Sequence, residues 1–549
     1  MIFFQIFLFC ISIILFSISI SGYGNLLSYK KENNFFLDII LGFIVISFII
    51  TFLHFFFEID LKISSLVFLF GLIIFFRKKN NFFEVLKKKN IYFLIIIFFF
   101  IPMFLTQKYH EDFGYYHLPY AIGFLEEKII FGYANIDQSF VYNSIWLNLY
   151  SIFFLNDKNY DFLTLPTYLL FLSFILFSIS QIISKKDIFT SDYYLVIILF
   201  YFILKFTRIS EFGVDLPAII FSILTIYYFI KYFEINLFDI KKNYFFLILV
   251  FSIFSILIKL STLPIIFLSL YIFFKDFKRL KFTIFNFKYF FIISLFLLFF
   301  FQQFIYTGCV FFPTNLTCLN VSWFNSEYLD LSKKLELVNK SYHHEAKSFY
   351  SPEEYLNNFN WFYFWIKRNS IEILEHFFTI LIPSLLFLFF LKKKNKKDIF
   401  FNGKFALCIF LILGLFFWLH FSPVYRFAIH LFVTLVFILL SEFLLIRKFS
   451  KKFFLFFVTL FILFSFSKNI IGLNKVDNIY LGIQKINNKY ILNQSSKNEF
   501  VSIFHPDVEN NYKNGWQGRL CWNTPFICSY NKLNVKKNNG YLIINKLKN

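Results

Sequence analysis

In the run His110-Glu111-Asp112-Phe113-Gly114-Tyr115-Tyr116-His117-Leu118-Pro119, carboxylates lie beside two imidazoles and two phenols. A general base, or a site for a divalent metal such as Mg or Mn, calls for groups of this kind. Asp112 follows His110 by two positions and precedes His117 by five, so no single helix face presents all three. The spacing also suits ordinary interfacial polar residues, with the tyrosines as membrane anchors.

Further along, Gly132-Tyr133-Ala134-Asn135-Ile136-Asp137 and Tyr142-Asn143-Ser144-Ile145-Trp146 combine amides, hydroxyls and an indole. Such groups suit carbohydrate, through hydrogen bonds to sugar hydroxyls and stacking on sugar C–H faces. The apolar segment that follows is too brief to span a membrane and is expected to lie in the interface. Three more polar groups punctuate apolar sequence: Arg208 to Asp215, Lys259 within Ile258-Lys259-Leu260-Ser261-Thr262-Leu263-Pro264, and His420 to Arg426. Cations at membrane depth are costly unless paired, and a lipid-linked phosphate or pyrophosphate would pair them. Arg426 suits bidentate contact with phosphate oxygens and Lys259 a point charge. The alternatives are that Arg208 pairs with Glu211 or Asp215, while Lys259 and Arg426 snorkel to headgroups.

The elements that carry these groups are membrane helices. Of 549 residues 58% are hydrophobic and 16% charged, and Phe alone supplies 95. The apolar residues come in runs of roughly 15 to 23, a length that crosses a hydrocarbon core about 30 Å thick. The charge of +21, from 54 Lys and Arg against 33 Asp and Glu, lies in short clusters between the runs. That pattern fits cytoplasmic loops and excludes a phosphate-tracking basic face, so no nucleic-acid partner is expected. The first run lacks the basic leader and cleavage site of a signal peptide and reads as a retained helix.

Placing Arg77 to Lys89, Lys275 to Lys288, Lys392 to Lys397 and Arg447 to Lys452 in the cytoplasm fixes the topology. Residues 1–105 hold N-terminal spans, 106–161 a first long outer loop with the candidate active site, and 162–306 further spans. Residues 307–371 form an outer lid loop ending in an interfacial aromatic helix, 372–467 the last spans, and 468–549 an outer C-terminal domain. Segment 244–274 is too long for one span and is read as two short helices meeting at Lys259 and Pro264. The sum is an all-α integral membrane bundle of about 12–14 transmembrane helices, with a short first outer-loop helix and a small α/β or mostly β C-terminal domain. The first outer loop is acidic. The tail is basic, which argues mildly against export, although long segments translocate largely regardless of charge.

Cys309 with Cys318 and Cys521 with Cys528 form two close pairs on the side assigned outside, which fits disulfides in an oxidising compartment. Cys10 and Cys408 lie within spans as small core residues. No nucleotide-binding, nucleophile-elbow or zinc-protease pattern occurs, which argues against ATP-driven transport.

Asp112-x-Gly114-x-Tyr116-His117, Gly132-x-x-Asn135, Tyr142-Asn143-Ser144-x-Trp146, Lys259-Leu260-Ser261, Pro423 to Arg426-Phe427 and Cys521-Trp522-x-x-Pro525-x-x-Cys528 together resemble a family of bacterial multi-spanning proteins similar to GT-C glycosyltransferases. In the family pattern proline directly precedes the arginine, whereas Val424 and Tyr425 intervene here. The resemblance implies a GT-C-like bundle in the bacterial inner membrane, using a polyprenyl-phosphate-linked sugar and a glycan or lipid acceptor at the outer face. It implies Asp112 as general base or metal ligand, with Glu111 as the nearby alternative. Lys259 and Arg426, with Arg208, would hold the departing lipid phosphate. Tyr116, His117, Asn135, Asn143, Trp146 and Asp215 would contact substrate. The competing expectations are an O-antigen polymerase or ligase, a lipid-linked glycan flippase, or an envelope scaffold; charges gathered at one face and the lack of an internal repeat count against transport.

Overall fold

The computed structural model describes residues 2–29, 34–77, 96–102, 116–154, 164–185, 188–205, 213–281, 286–393, 403–445, 447–473 and 533–546. Long apolar runs leave the backbone no partner but itself in hydrocarbon, and helices are the result. Among the described residues nine helices are long and apolar enough to cross a membrane, the build of a multi-pass membrane protein. The larger number expected is not reached because some segments are short, such as Leu61–Arg77 and Thr190–Lys205, and the one near 91–105 is described only over 96–102.

Helices α1 (Ile2–Gly24), α2 (Phe35–His54) and α3 (Leu61–Arg77) pack backbone to backbone. A Cβ on Gly24 would stand 1.7 Å from the Asp38 carbonyl oxygen, and one on Gly42 1.9 Å from that of Ile20. Small residues permit this close approach where lipid offers no hydrophobic drive between helices. The Tyr23 hydroxyl donates to Val67 O at 2.6 Å, and Ser19 Oγ to Phe68 O at 2.7 Å.

Next come α4 (Leu118–Glu126) and α5 (Ile145–Tyr150) in the first long loop, then α6 (Leu165–Ser184), α7 (Thr190–Lys205) and α8 (Asp215–Glu234). All six residues of α5 are buried. This corrects the expected interfacial helix: flanking apolar sequence gives α5 a protein surround on every side. Helix α9 (Phe238–Ile258) stops at Lys259, a 3-10 turn Leu260–Ile265 carries Pro264, and α10 (Ile266–Lys275) returns. The break falls where the lysine and proline predict it. Ser222 and Ser255 hydroxyls meet at 2.8 Å between α8 and α9.

After α11 (Phe287–Thr307) and α12 (Glu327–Asn339), α13 runs unbroken over Trp361–Phe389. The aromatic segment before residue 372 is therefore the first part of that helix and not a separate interfacial one. Charges along this helix find partners without a break in it: Lys367 pairs with Glu345 at 2.7 Å, and Glu375 with Lys205. Helices α14 (Lys404–Phe421), α15 (Ile429–Leu445) and α16 (Lys451–Leu473) complete the bundle.

Inter-helix contacts sort to two ends. At one, Lys288 Nζ donates to Leu27 O at 2.6 Å, Lys451 Nζ to Ile183 O at 2.9 Å, and Lys392–Lys393 pairs with Arg447–Lys448. At the other, the first loop, the lid and a C-terminal hairpin come together. The hairpin joins β1 (Leu533–Asn538) to β2 (Tyr541–Lys546) through Asn539-Gly540, both at positive φ as a two-residue hairpin turn requires. Among the described residues this hairpin is all that is seen of the expected C-terminal domain; Cys521 and Cys528 lie outside them.

Candidate functional site

Three polar side chains converge at the loop-bearing end. Asp215 is the first residue of α8, where the helix dipole favours a carboxylate. Lys259 occupies the break after α9, and Arg426 the 3-10 turn Tyr425–Ala428 before α15. Lys259 Nζ pairs with Asp215 Oδ1, and Arg426 Nε lies 2.9 Å from Asp215 Oδ2. One carboxylate therefore holds two cations, each on its own oxygen. The Lys259 ammonium also lies 3.3 Å from the centre of the Phe427 ring, a cation–π contact. All three ionic side chains are partly exposed.

The lid fixes the arginine turn. Trp365 Nε1 donates to Pro423 O at 2.6 Å, Trp418 Nε1 to Val424 O at 2.8 Å, and Asn339 Nδ2 to Ser422 Oγ at 3.0 Å. The Tyr425 ring lies 4.7 Å from that of His376, whose Nδ1 is 2.8 Å from the Tyr201 hydroxyl. The two residues inserted between Pro423 and Arg426 thus have their own moorings, and the arginine still reaches Asp215.

The first loop reaches the same place. His117 is buried, its ring 4.1 Å from that of Tyr116, and its Cε1 lies 3.8 Å from where a side chain on Gly213 would begin. Trp146 is fully buried, and its Nε1 donates to the Tyr150 hydroxyl at 3.0 Å. That hydroxyl meets Thr167 Oγ1 at 2.7 Å and Gly213 O at 3.1 Å, two residues before Asp215. Trp146 therefore supports the approach to α8 and presents no face for a sugar to stack on. Tyr150, Thr167 and Gly213 were not legible as site residues, since only the fold aligns them.

Asn143 joins a closed amide network. Its Nδ2 donates to Gln302 Oε1 at 3.0 Å and its Oδ1 accepts from the Tyr120 hydroxyl at 2.9 Å; Asn148 makes the parallel bonds to both at 2.9 and 2.8 Å. Asn135 is also buried. Its Nδ2 donates to Trp323 O and to Ile544 O, both at 2.9 Å, and its Oδ1 accepts from the Tyr328 hydroxyl. It therefore ties the first loop to the lid and to the hairpin. Beside it Phe131 makes a single parallel bridge to β2, through Phe131 N to Leu542 O and Ile544 N to Phe131 O at 2.9 Å each. Gly132, at φ +73°, leaves room for the Ile544 carbonyl, which would lie 2.2 Å from a Cβ.

Asn135→Ala would leave two carbonyls and a hydroxyl without these bonds inside protein, at about 1–3 kcal/mol each. The expected outcome is faster proteolytic cleavage of lid and hairpin and a lower unfolding temperature, both read on purified protein. Charge supports the same docking: burial pushes the Glu127 carboxyl up, and the ammonium of Lys537 on β1 opposes that shift.

Cys309 and Cys318 form a disulfide at the start of the lid. Asp112, Glu111, Arg208, Cys521 and Cys528 lie outside the described residues. Among the described residues no group of three or more His, Cys, Asp or Glu side chains could hold a metal. Asp215 is a poor ligand for Mg or Mn, because the two cations on its oxygens would repel a third.

Residues 1–433 match a family described as Domain of unknown function (DUF8201), a stretch that includes Asp215, Lys259 and Arg426 but not the hairpin. No curated protein and no solved structure matches the chain.

Proposed function

The chain belongs to the DUF8201 family, and from that premise we propose that it is an integral membrane glycosyltransferase. It transfers a sugar from a polyprenyl-phosphate donor to an envelope glycan or lipid acceptor at the outer face of a bacterial inner membrane. The observation that carries this reading is the convergence of Lys259 and Arg426 on the two oxygens of Asp215, at the end of the bundle that bears the long loops.

The carboxylate marks a place where one anionic group with two neighbouring oxygens satisfies both cations. A donor phosphate brought there exchanges for Asp215 and keeps both contacts. As the anomeric C–O bond breaks, charge grows on the phosphate oxygens, and cations placed at a helix break and on a tryptophan-held turn stabilise it. The acceptor oxygen attacks from the opposite side, its proton passing to a carboxylate of the first loop, Asp112 with Glu111 as alternative, and the anomeric configuration inverts. A monophosphate offers two neighbouring oxygens to Lys259 and Arg426, whereas a polymerase or ligase of the alternative reading would have to seat the longer pyrophosphate.

The test is release of polyprenyl phosphate by purified protein in lipid, from a panel of polyprenyl-phosphate sugars, with and without divalent metal and EDTA. Wild type is expected to release it and Asp112→Asn to release none. Equal release of polyprenyl pyrophosphate from polyprenyl-pyrophosphate sugars would sink the monophosphate assignment, and undiminished release of polyprenyl phosphate by Asp112→Asn would remove that residue as base.

A further inference from the structure

The lid begins with a feature that the transfer chemistry does not use. We infer that the disulfide-closed loop Cys309–Cys318 is a lipid-contacting wedge set into the bilayer surface beside α11; this rests on the reading that the apolar helices cross a bilayer.

Helix α11 ends at Thr307, and Gly308 takes the left-handed conformation that turns a chain away from a helix end. The chain then doubles back. The Phe311 ring stacks on that of Phe300, with centroids 4.9 Å apart and planes 12° apart. Phe300 lies two turns before the end of α11, so the Phe311 ring folds back against the side of that helix. Its opposite side is held by protein: Phe312 is buried, its ring 5.3 Å from that of Tyr142.

Beside exposed Thr314, Asn315 and Asn320, three large apolar side chains project from the loop. Leu316 is 96% exposed, Leu319 55% and Val310 42%. They continue the exposed apolar surface of α11, where Leu297 and Phe301 face outward. From Thr307 to Asn325 the sequence has no charged residue. The polar backbone at the base of the loop is satisfied internally: Val310 N donates to Thr317 O at 3.1 Å, Phe311 N to Thr317 Oγ1 at 2.9 Å, and Thr317 Oγ1 to Phe311 O at 3.0 Å. A covalently closed, uncharged tip with its backbone bonds made, running on from a lipid-facing helix surface, fits the boundary of headgroup and acyl chain. With no cation on it, the wedge takes neutral and anionic lipid alike. Through Trp323 and Tyr328, both bonded to Asn135, it fixes the height of the lid over the membrane.

Full-length protein carrying a benzophenone amino acid in place of Leu316, Leu297 or Glu353 is reconstituted in vesicles of phosphatidylcholine, alone or mixed with phosphatidylglycerol. Lipid adducts are counted after irradiation. Leu297 reports the helix face in the bilayer and Glu353 an exposed lid position. Labelling at Leu316 is expected to approach that at Leu297, to exceed that at Glu353 several-fold, and to be unchanged by phosphatidylglycerol. Labelling at Leu316 no greater than at Glu353, with Leu297 labelled, overturns the wedge alone. An unlabelled Leu297 overturns the bilayer reading and the wedge with it.

Discussion

Lys259→Ala is expected to cut release of polyprenyl phosphate by about 100-fold or more, the scale of loss when one preorganised contact to developing charge is removed. The loss should fall mainly on kcat, because the cation matters most once the phosphate carries its full leaving charge. Arg426→Ala should have a comparable effect, and the double variant less than the product of the two, since both cations act on one anion. Asp215→Asn separates the roles. It removes the carboxylate that occupies the cation pair, so binding of free polyprenyl phosphate should tighten. Should Asp215→Asn instead weaken binding while the protein stays folded, Asp215 would be a positioning residue for the cations and not the group that substrate replaces. Titration of polyprenyl phosphate into protein in lipid, followed by intrinsic fluorescence, reads the outcome.

Gly24→Val is expected to give little or no monodisperse protein. A Cβ there meets backbone at 1.7 Å, and neither α1 nor α2 can yield locally: a Cβ on Gly22 would lie 2.0 Å from Gly71 O, and one on Gly42 1.9 Å from Ile20 O. Relief requires moving whole helices, at a cost of about 3 kcal/mol or more. Gly414→Ala is the counterpart. Its Cβ would meet only the Leu431 side chain, at 2.6 Å from Cδ2, and a methyl end can rotate away. Size-exclusion profiles and thermal midpoints of the two variants should differ sharply. Equal behaviour would show that the α1 to α3 contact is not a rigid one.

What could be read from sequence was what depends on near neighbours. Pro264 with Lys259 marks the helix break because both act within a turn. The apolar runs become helices because hydrocarbon leaves them no other state. What depends on distant partners was not legible. Asn135 reads as a sugar ligand by type, yet its three bonds go to residues 188 to 409 positions away. Trp146 reads as a stacking platform, yet Phe43 covers it at 5.3 Å. Nothing near Lys367 and Glu375 in sequence says that Glu345 and Lys205 will meet them. The tail's basic composition did not show that Lys537 would lie among the acidic side chains around Glu127.

The bridge between Phe131 and β2 has a temporal consequence. Asn135 and Ile544 are 409 positions apart, so at 5–20 residues per second roughly 20–80 s of synthesis separate them. Throughout that interval the Phe131 edge has no strand beside it, and an open edge is a template for the wrong partner. The first loop therefore reaches its final state only after the last helices have been threaded into the bundle. A nascent chain stalled before Tyr541 would keep that backbone exposed to proteases on the loop-bearing side until the hairpin pairs with it.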